Sequence, residues 1–258
     1  MEKPALTICN ASIGYRQNKK AVQIVAGIDA TLRCGELVVL IGRNGAGKST
    51  LLRTLSAFQK PLSGNVGYSG KSAEQMSADD IAKEVSVVLT ANEPAPLTVR
   101  EIVSLGRTPY TNFMGRMTAK DNKAVDNALE MMDMLHLENR IASVLSDGER
   151  QKCMIAKALA QETPVMLLDE PTAFLDYVSK VKLLRTLKKL AKEKNKAILV
   201  STHDIELAVR FADKVWLLSD AVFKESCIDE LSENEAFLDF ISDAGIRYDK
   251  KEKRIEIL

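Results

Sequence analysis

Several short runs of the chain are apolar at nearly every position: Leu37 to Ile41, Val85 to Leu89, Val165 to Leu168, Ala197 to Val200 and Val215 to Leu218. Runs of this length suit strands covered on both faces, as in a parallel α/β sheet. Between them the apolar positions recur at helical spacing, in Leu51, Leu55 and Phe58, in Tyr177, Val181, Leu184 and Leu187, and in Ile205, Ala208, Val209 and Ala212. Strand and helix therefore alternate, which predicts an α/β fold. The start differs. Leu6 and Ile8 alternate with polar neighbours, and Ile24, Ile28, Ala30 and Leu32 lead to a turn at Arg33 to Glu36, the pattern of antiparallel strands.

From Leu97 to Leu145 no comparable strand is evident. Val125, Ala128, Leu129, Met132 and Leu135 mark an amphipathic helix opened by Thr118, with Asp121 three residues on. Residues 97–145 are therefore expected to form a helical insert in a core made of residues 1–96 and 146–228. Residues 229–258 are expected to form an accessory element. Its helix lies around Phe237, Leu238 and Ile241, capped by Ser232 and Glu235, and its last strand runs from Arg254 to Leu258. The 258 residues read as a single domain of this composite kind.

The stretch Gly42, Arg43, Asn44, Gly45, Ala46, Gly47, Lys48, Ser49 fits GxxxxGK[ST], directly after an apolar strand and directly before a helix that begins near Lys48, and Thr50 is grouped with it as a candidate for nucleotide binding. Glycines without a Cβ let successive backbone N–H groups turn towards phosphate oxygens, and the helix start adds its positive end. Lys48 supplies a point charge to the β and γ phosphates, and the Ser49 hydroxyl a ligand for Mg²⁺. A second run, Val165 to Leu168, ends in Asp169 and Glu170. Ligands of parallel sheets sit beyond the carboxyl ends of the strands. Asp169 is there a ligand for Mg²⁺ through its water, and Glu170 a base for the water that attacks the γ phosphate.

Composition narrows the partners. Lysine plus arginine (36) nearly cancels aspartate plus glutamate (35), leaving a formal charge of +1 and no global field for nucleic acid. No apolar run approaches the roughly 20 residues that cross a bilayer, and the first residues lack an apolar signal core, so a cytosolic chain is expected. Cys9, Cys34, Cys153 and Cys227 are widely spaced and the histidines are His136 and His203, so free thiols and no structural zinc are expected. Lys180, Lys182, Arg185, Lys188, Lys189, Lys192, Lys194 and Lys196 read as the solvated face of a helix. Met131, Met132 and Met134 read as helix packing, and Trp216 as core.

Leu145, Ser146, Asp147, Gly148, Glu149, Arg150 and Gln151 open a further helix, and Ser146 with Glu149 is by itself an ordinary capping box. Followed by Leu168 to Thr172, by Phe174, Leu175 and Asp176, and by Ser201, Thr202, His203 and Asp204, this segment resembles in order and spacing the ATP-binding-cassette ATPases. The resemblance covers nearly the whole chain. It implies the cassette fold: a P-loop core with a mainly parallel sheet, an N-terminal antiparallel β part and a helical insert. By the same resemblance Ser146, Asp147, Gly148 and Glu149 form the signature, Asp176 lies in the D-loop, His203 is the switch histidine, and Tyr15 stacks on adenine.

The resemblance further implies ATP and Mg²⁺ as cofactors and a head-to-tail dimer in which Ser146 and Gly148 serve the partner's nucleotide. Two positions depart from the family pattern. Thr90 stands where a glutamine is usual, and Asp147 replaces the first signature glycine, its carboxylate expected to point away from phosphate. The segment Ile102 to Tyr110 is similar to that of ATPases powering import of ferric siderophores, haem or vitamin B12. That likeness implies integral-membrane permease subunits, an external substrate-binding protein, and a peripheral place on the inner membrane face. A soluble cassette ATPase of repair or cluster assembly is the alternative, although no sustained heptad for a long coiled coil is present. A P-loop kinase or GTPase would not need Ser146, Gly148 and His203 in this order.

Overall fold

Side chains of a strand alternate between its two faces, so a strand apolar throughout has to be covered twice. The structure, a computed structural model, describes residues 3–17, 20–89, 96–111, 115–243, 245–249 and 254–257. It opens with β1 (Leu6–Gln17) and β2 (Lys20–Leu32), then β3 (Leu37–Ile41), α1 (Lys48–Leu55), β4 (Ser63–Tyr68) and β5 (Lys71–Ser72). Next come α2 (Ala78–Glu84), β6 (Val85–Val88), α3 (Val99–Ser104), α4 (Ala119–Met131), α5 (Asp147–Ala160) and β7 (Val165–Asp169). The chain continues through α6 (Tyr177–Glu193), β8 (Ala197–Ser201), α7 (Ile205–Phe211), β9 (Lys214–Ser219) and β10 (Val222–Cys227). It closes with α8 (Glu235–Ser242), β11 (Ile246–Asp249) and β12 (Arg254–Ile257).

A six-stranded sheet has the order β10-β9-β3-β8-β7-β6, parallel except for β10. Every residue of β3, β7 and β8 is buried. Met166, Leu168, Ile198 and Val200 face the helical side, among residues of α3, α4, α5 and α6. Their neighbours Val165, Leu167, Ala197 and Leu199 face the antiparallel sheet β2-β1-β4-β5. Each fully buried leucine or valine contributes about 1.5–3 kcal/mol, so this sandwiched sheet is the stable frame of the molecule. Tyr68 anchors the antiparallel sheet to α1 by donating its hydroxyl hydrogen to the Leu55 carbonyl at 2.7 Å. Trp216 is fully buried, its indole N–H bonded to Glu225.

Two expectations are corrected. The cap of α8 is Asn234, whose side chain accepts from the Phe237 N–H, and not Ser232 with Glu235. Ser232 lies within a 3₁₀ turn, Ile228–Glu233, that ends by carrying the Asn234 N–H onto the Leu231 carbonyl. Lys196 is not on the solvated face of α6. It follows the helix and donates to the Thr163 carbonyl at 2.5 Å, where burial pushes its pKa down.

The stretch from α3 to α4 packs on α5, and its join is tight. A Cβ on Gly106 would lie 2.2 Å from the Lys157 carbonyl oxygen. Beside it Arg107, 2% exposed, donates to Asp121 at 2.9 Å, to the Ala160 carbonyl at 2.8 Å and to Glu162 at 2.9 Å. Its guanidinium also lies 4.2 Å from the Tyr110 ring centre. Asp121 is at the same time the N3 acid of the α4 capping box with Thr118.

Arg107→Ala strands the Asp121 carboxylate and should lower the unfolding free energy by about 3 kcal/mol, read from a urea midpoint. Bonds from Thr118, followed by Arg107, hold the Asp121 pKa down to about 2 from 3.8. A depressed carboxylate stabilises the fold above its unfolded pKa and loses that contribution as pH falls through the folded one. The stability of the wild type should therefore decline between these two values more steeply than that of Asp121→Asn.

Candidate active site

The carboxyl end of β3 runs straight into residues 42–47, which wrap over the start of α1. Gly42 has no room for a side chain, since a Cβ there would sit 2.2 Å from the Leu218 carbonyl oxygen. Gly47 caps α1 at φ 105°, a conformation open to glycine, and provides no side-chain bond. The N–H groups of the first turn of α1 consequently have no side-chain cap and remain for a ligand. Lys48, 5% exposed, donates to the carbonyls of Gly42 at 2.8 Å and Arg43 at 3.2 Å. Burial lowers its pKa, opposed by the charges of Glu170 and Asp169. Arg43, Asn44, Gly45, Ser49 and Thr50 lie at the surface or half-buried, as do Ala46 and Gly47.

Two strand ends and a helix start meet at Asp169. Its carboxylate accepts from Ser49 Oγ at 2.8 Å and from Ser201 Oγ at 2.6 Å, joining the start of α1 to the ends of β7 and β8. The Ser201 hydroxyl oxygen also accepts the Glu170 N–H at 2.9 Å. Glu170 itself has φ 49°, an uncommon value for a side-chain-bearing residue, and this N–H bond holds it there. The turned backbone brings Glu170 Oε1 into contact with Nε2 of His203. Lys48, Ser49, Asp169, Glu170 and His203 thus gather beyond the carboxyl ends of the inner strands β3, β7 and β8. In the sequence Ser201 figures only as the first residue of the Ser201 to Asp204 motif, with no role of its own, because a serine ending an apolar strand carries no signal of its bonds.

Tyr15 stands on β1, 48% exposed. Gln59 ties that strand to the phosphate loop's helix, donating to the carbonyls of Gly14 at 3.1 Å and Thr50 at 3.4 Å and to Thr54 Oγ1 at 2.9 Å. This glutamine too was missed, since it belongs to no motif. Ser146 caps α5 in a reciprocal box with Glu149, and Asp147 turns to Arg150 at 3.1 Å. A Cβ on Gly148 would lie 3.1 Å from Leu175 Cδ2, so the start of α5 abuts the loop before Asp176. Asp176 accepts from the Ser179 N–H and hydroxyl, capping α6, and these bonds lower its pKa. Among the described residues no hydrogen bond or ion pair joins Ser146, Asp147, Gly148 or Glu149 to residues 42–50. Thr90 lies outside the described residues.

A groove of about 540 Å³ opens on the far side of α1, walled by Phe58, Met76, Ile81, Val87, Lys157 and Gln161. Phe58 stands 65% exposed at its rim.

A loop of this kind between a central parallel strand and a helix, with carboxylates at the end of a nearby strand, makes a P-loop nucleotide-binding core. The family model described as ABC transporter matches residues 25–173, and the chain belongs to that family. It is 45% identical over 212 residues to an uncharacterized ABC transporter ATP-binding protein of Methanocaldococcus jannaschii, covering 82% of this chain and 72% of the relative. It is 39% identical over 204 residues to the iron(3+)-hydroxamate import ATP-binding protein FhuC of Bacillus subtilis, covering 78% and 76%. A dimeric structure of a bacterial ABC transporter cassette superposes with a TM-score of 0.77 at 28% identity, covering 86% of this chain and 98% of that one.

Ser201→Ala removes a donor to Asp169 and the acceptor of a backbone N–H together. It should cost about 1–3 kcal/mol and lower the melting midpoint by about 5 °C, measured by circular dichroism.

Proposed function

We propose that this chain is the ATP-hydrolysing subunit of an importer that takes up a metal chelate or a corrinoid through separate membrane subunits. The observation that carries this reading is the meeting of Lys48, Ser49, Asp169, Glu170 and His203 beyond the carboxyl ends of β3, β7 and β8, in a chain whose relatives include an iron(3+)-hydroxamate import subunit. Such a relative favours transport over a soluble repair or cluster-assembly role.

The residues account for the chemistry in sequence. Backbone N–H groups of the loop and first turn take the phosphate oxygens, and Lys48 turns its ammonium from its own carbonyls to the terminal phosphates. Ser49 and Asp169, 2.8 Å apart, are hard oxygen donors of the type Mg²⁺ accepts. Among the described residues no cluster of three or more His, Cys, Asp or Glu side chains is placed to hold a metal. The pair therefore suits a cation that arrives with phosphate and water oxygens, where it would neutralise charge building on the phosphates. Glu170 accepts a proton from the attacking water, and His203, in contact with it, keeps that carboxylate in place. Tyr15 offers its exposed ring to the base.

Among the described residues, the signature residues 146–149 make no bond to the cradle, which favours a second copy supplying them. In that arrangement the helix start at Ser146 meets the partner's γ phosphate, and ATP closes two copies that hydrolysis reopens. No described helix is long and apolar enough to cross a membrane, so attachment to the inner membrane face would come through the permease. The cargo, delivered by an external binding protein, would never touch this chain.

Lys48→Ala should reduce ATP turnover by about 10²–10³-fold in a phosphate-release assay; near-wild-type hydrolysis would remove the lysine from the site. Glu170→Gln should still bind ATP and accumulate as a dimer on size exclusion. If it stays monomeric with ATP bound, the sandwich is wrong.

A further inference from the structure

The C-terminal element reaches the nucleotide site along two routes. α8 presses Phe237 and Ile241 into the cluster that holds Val39 and Ile41 of β3, the strand that ends in the cradle. Ile246 of β11 lines the same shallow depression as His203, Asp204 and Lys180. Directly after α8, Asp243 pairs with Arg43 Nη2 at 2.7 Å, a contact between residues 200 positions apart. Arg43 is committed at both ends. Its guanidinium goes to Asp243, while its carbonyl accepts from Lys48 Nζ and from the Ala46 N–H.

We propose that Asp243 is a positioning residue of the nucleotide site, acting through Arg43 to keep its guanidinium paired with a carboxylate and away from phosphate, so that docking of the C-terminal element and binding of ATP oppose each other. The physical basis is charge. A carboxylate beside Arg43 neutralises a guanidinium that would otherwise attract a polyanion, and adds its own repulsion at the cradle's rim. Both side chains are more than half exposed, so the coupling is small and is screened by salt. Linkage makes it reciprocal: whatever ATP affinity the pair removes, ATP removes from the docking of α8.

The proposal rests on residues 42–50 being a triphosphate cradle, and the experiment separates the two. ATP affinity is measured by equilibrium dialysis for the wild type, Asp243→Asn and Asp243→Glu, at low and at high salt. Asp243→Asn should bind about threefold more tightly at low salt, with the gain lost at high salt. Asp243→Glu should behave as the wild type. Hydrogen exchange on the unmodified protein supplies a readout that needs no variant: amides of α8 should exchange faster with ATP than without. If the wild type binds ATP while Asp243→Asn binds equally or more weakly, or if α8 is equally protected in both states, the latch is refuted. If none of the three proteins binds ATP, the cradle itself is refuted and the latch with it.

Discussion

One carboxylate holds the site together. Asp169 stands at the end of a strand buried on both faces and accepts from hydroxyls that belong to two other segments, Ser49 at the start of α1 and Ser201 at the end of β8. The backbone ladder already pairs β7 with β8, and the Asp169 carboxylate adds the side-chain bond that ties the start of α1 to both. Asp169 converts the rigidity of the sheet into angular precision at the carboxyl ends of its inner strands. The same serine that steadies Asp169 takes the Glu170 N–H, so the uncommon backbone of Glu170 and its reach to His203 depend on Asp169 as well.

Much of this was legible in the chain because the physics leaves local marks. β3, β7 and β8 are buried twice, and the runs Leu37 to Ile41, Val165 to Leu168 and Ala197 to Val200 show it without ambiguity. The cradle declares itself by glycine spacing, since Gly42 and Gly47 have no alternative residue. Thr118 with Asp121 caps α4 as the spacing predicts. Elsewhere the marks are weak or misleading. β4 holds two glycines in Ser63–Tyr68, which blurs its alternation. Ser232 and Glu235 have the spacing of a capping box, yet a preceding 3₁₀ turn with buried Leu231 moves the helix start to Asn234. Ser201, Gln59 and the pairing of Asp243 with Arg43 are relations across space, and no window along the sequence contains them.

Residues 146–149 form a local structure that is complete by itself. Ser146 and Glu149 satisfy each other as any capping box does, and the burial of Ile155, Ala156 and Leu159 explains the helix without reference to ligand. What sets this helix apart is its location. Gly148 abuts Leu175, one residue before Asp176 begins α6, so two helix starts are presented side by side.

α5 also has a mechanical character. Its 14 residues span about 20 Å, from Gly148 at one extremity to Lys157, Ala158 and the following Gln161, which wall the groove at the other. Gly106 seated against the Lys157 carbonyl, with Arg107 clamped on Ala160, leaves no slack between this rod and the helices riding on it. The wall of the groove and the helix start beside Leu175 are therefore two ends of one element, fastened along its length to the stretch that carries Gly106 and Arg107.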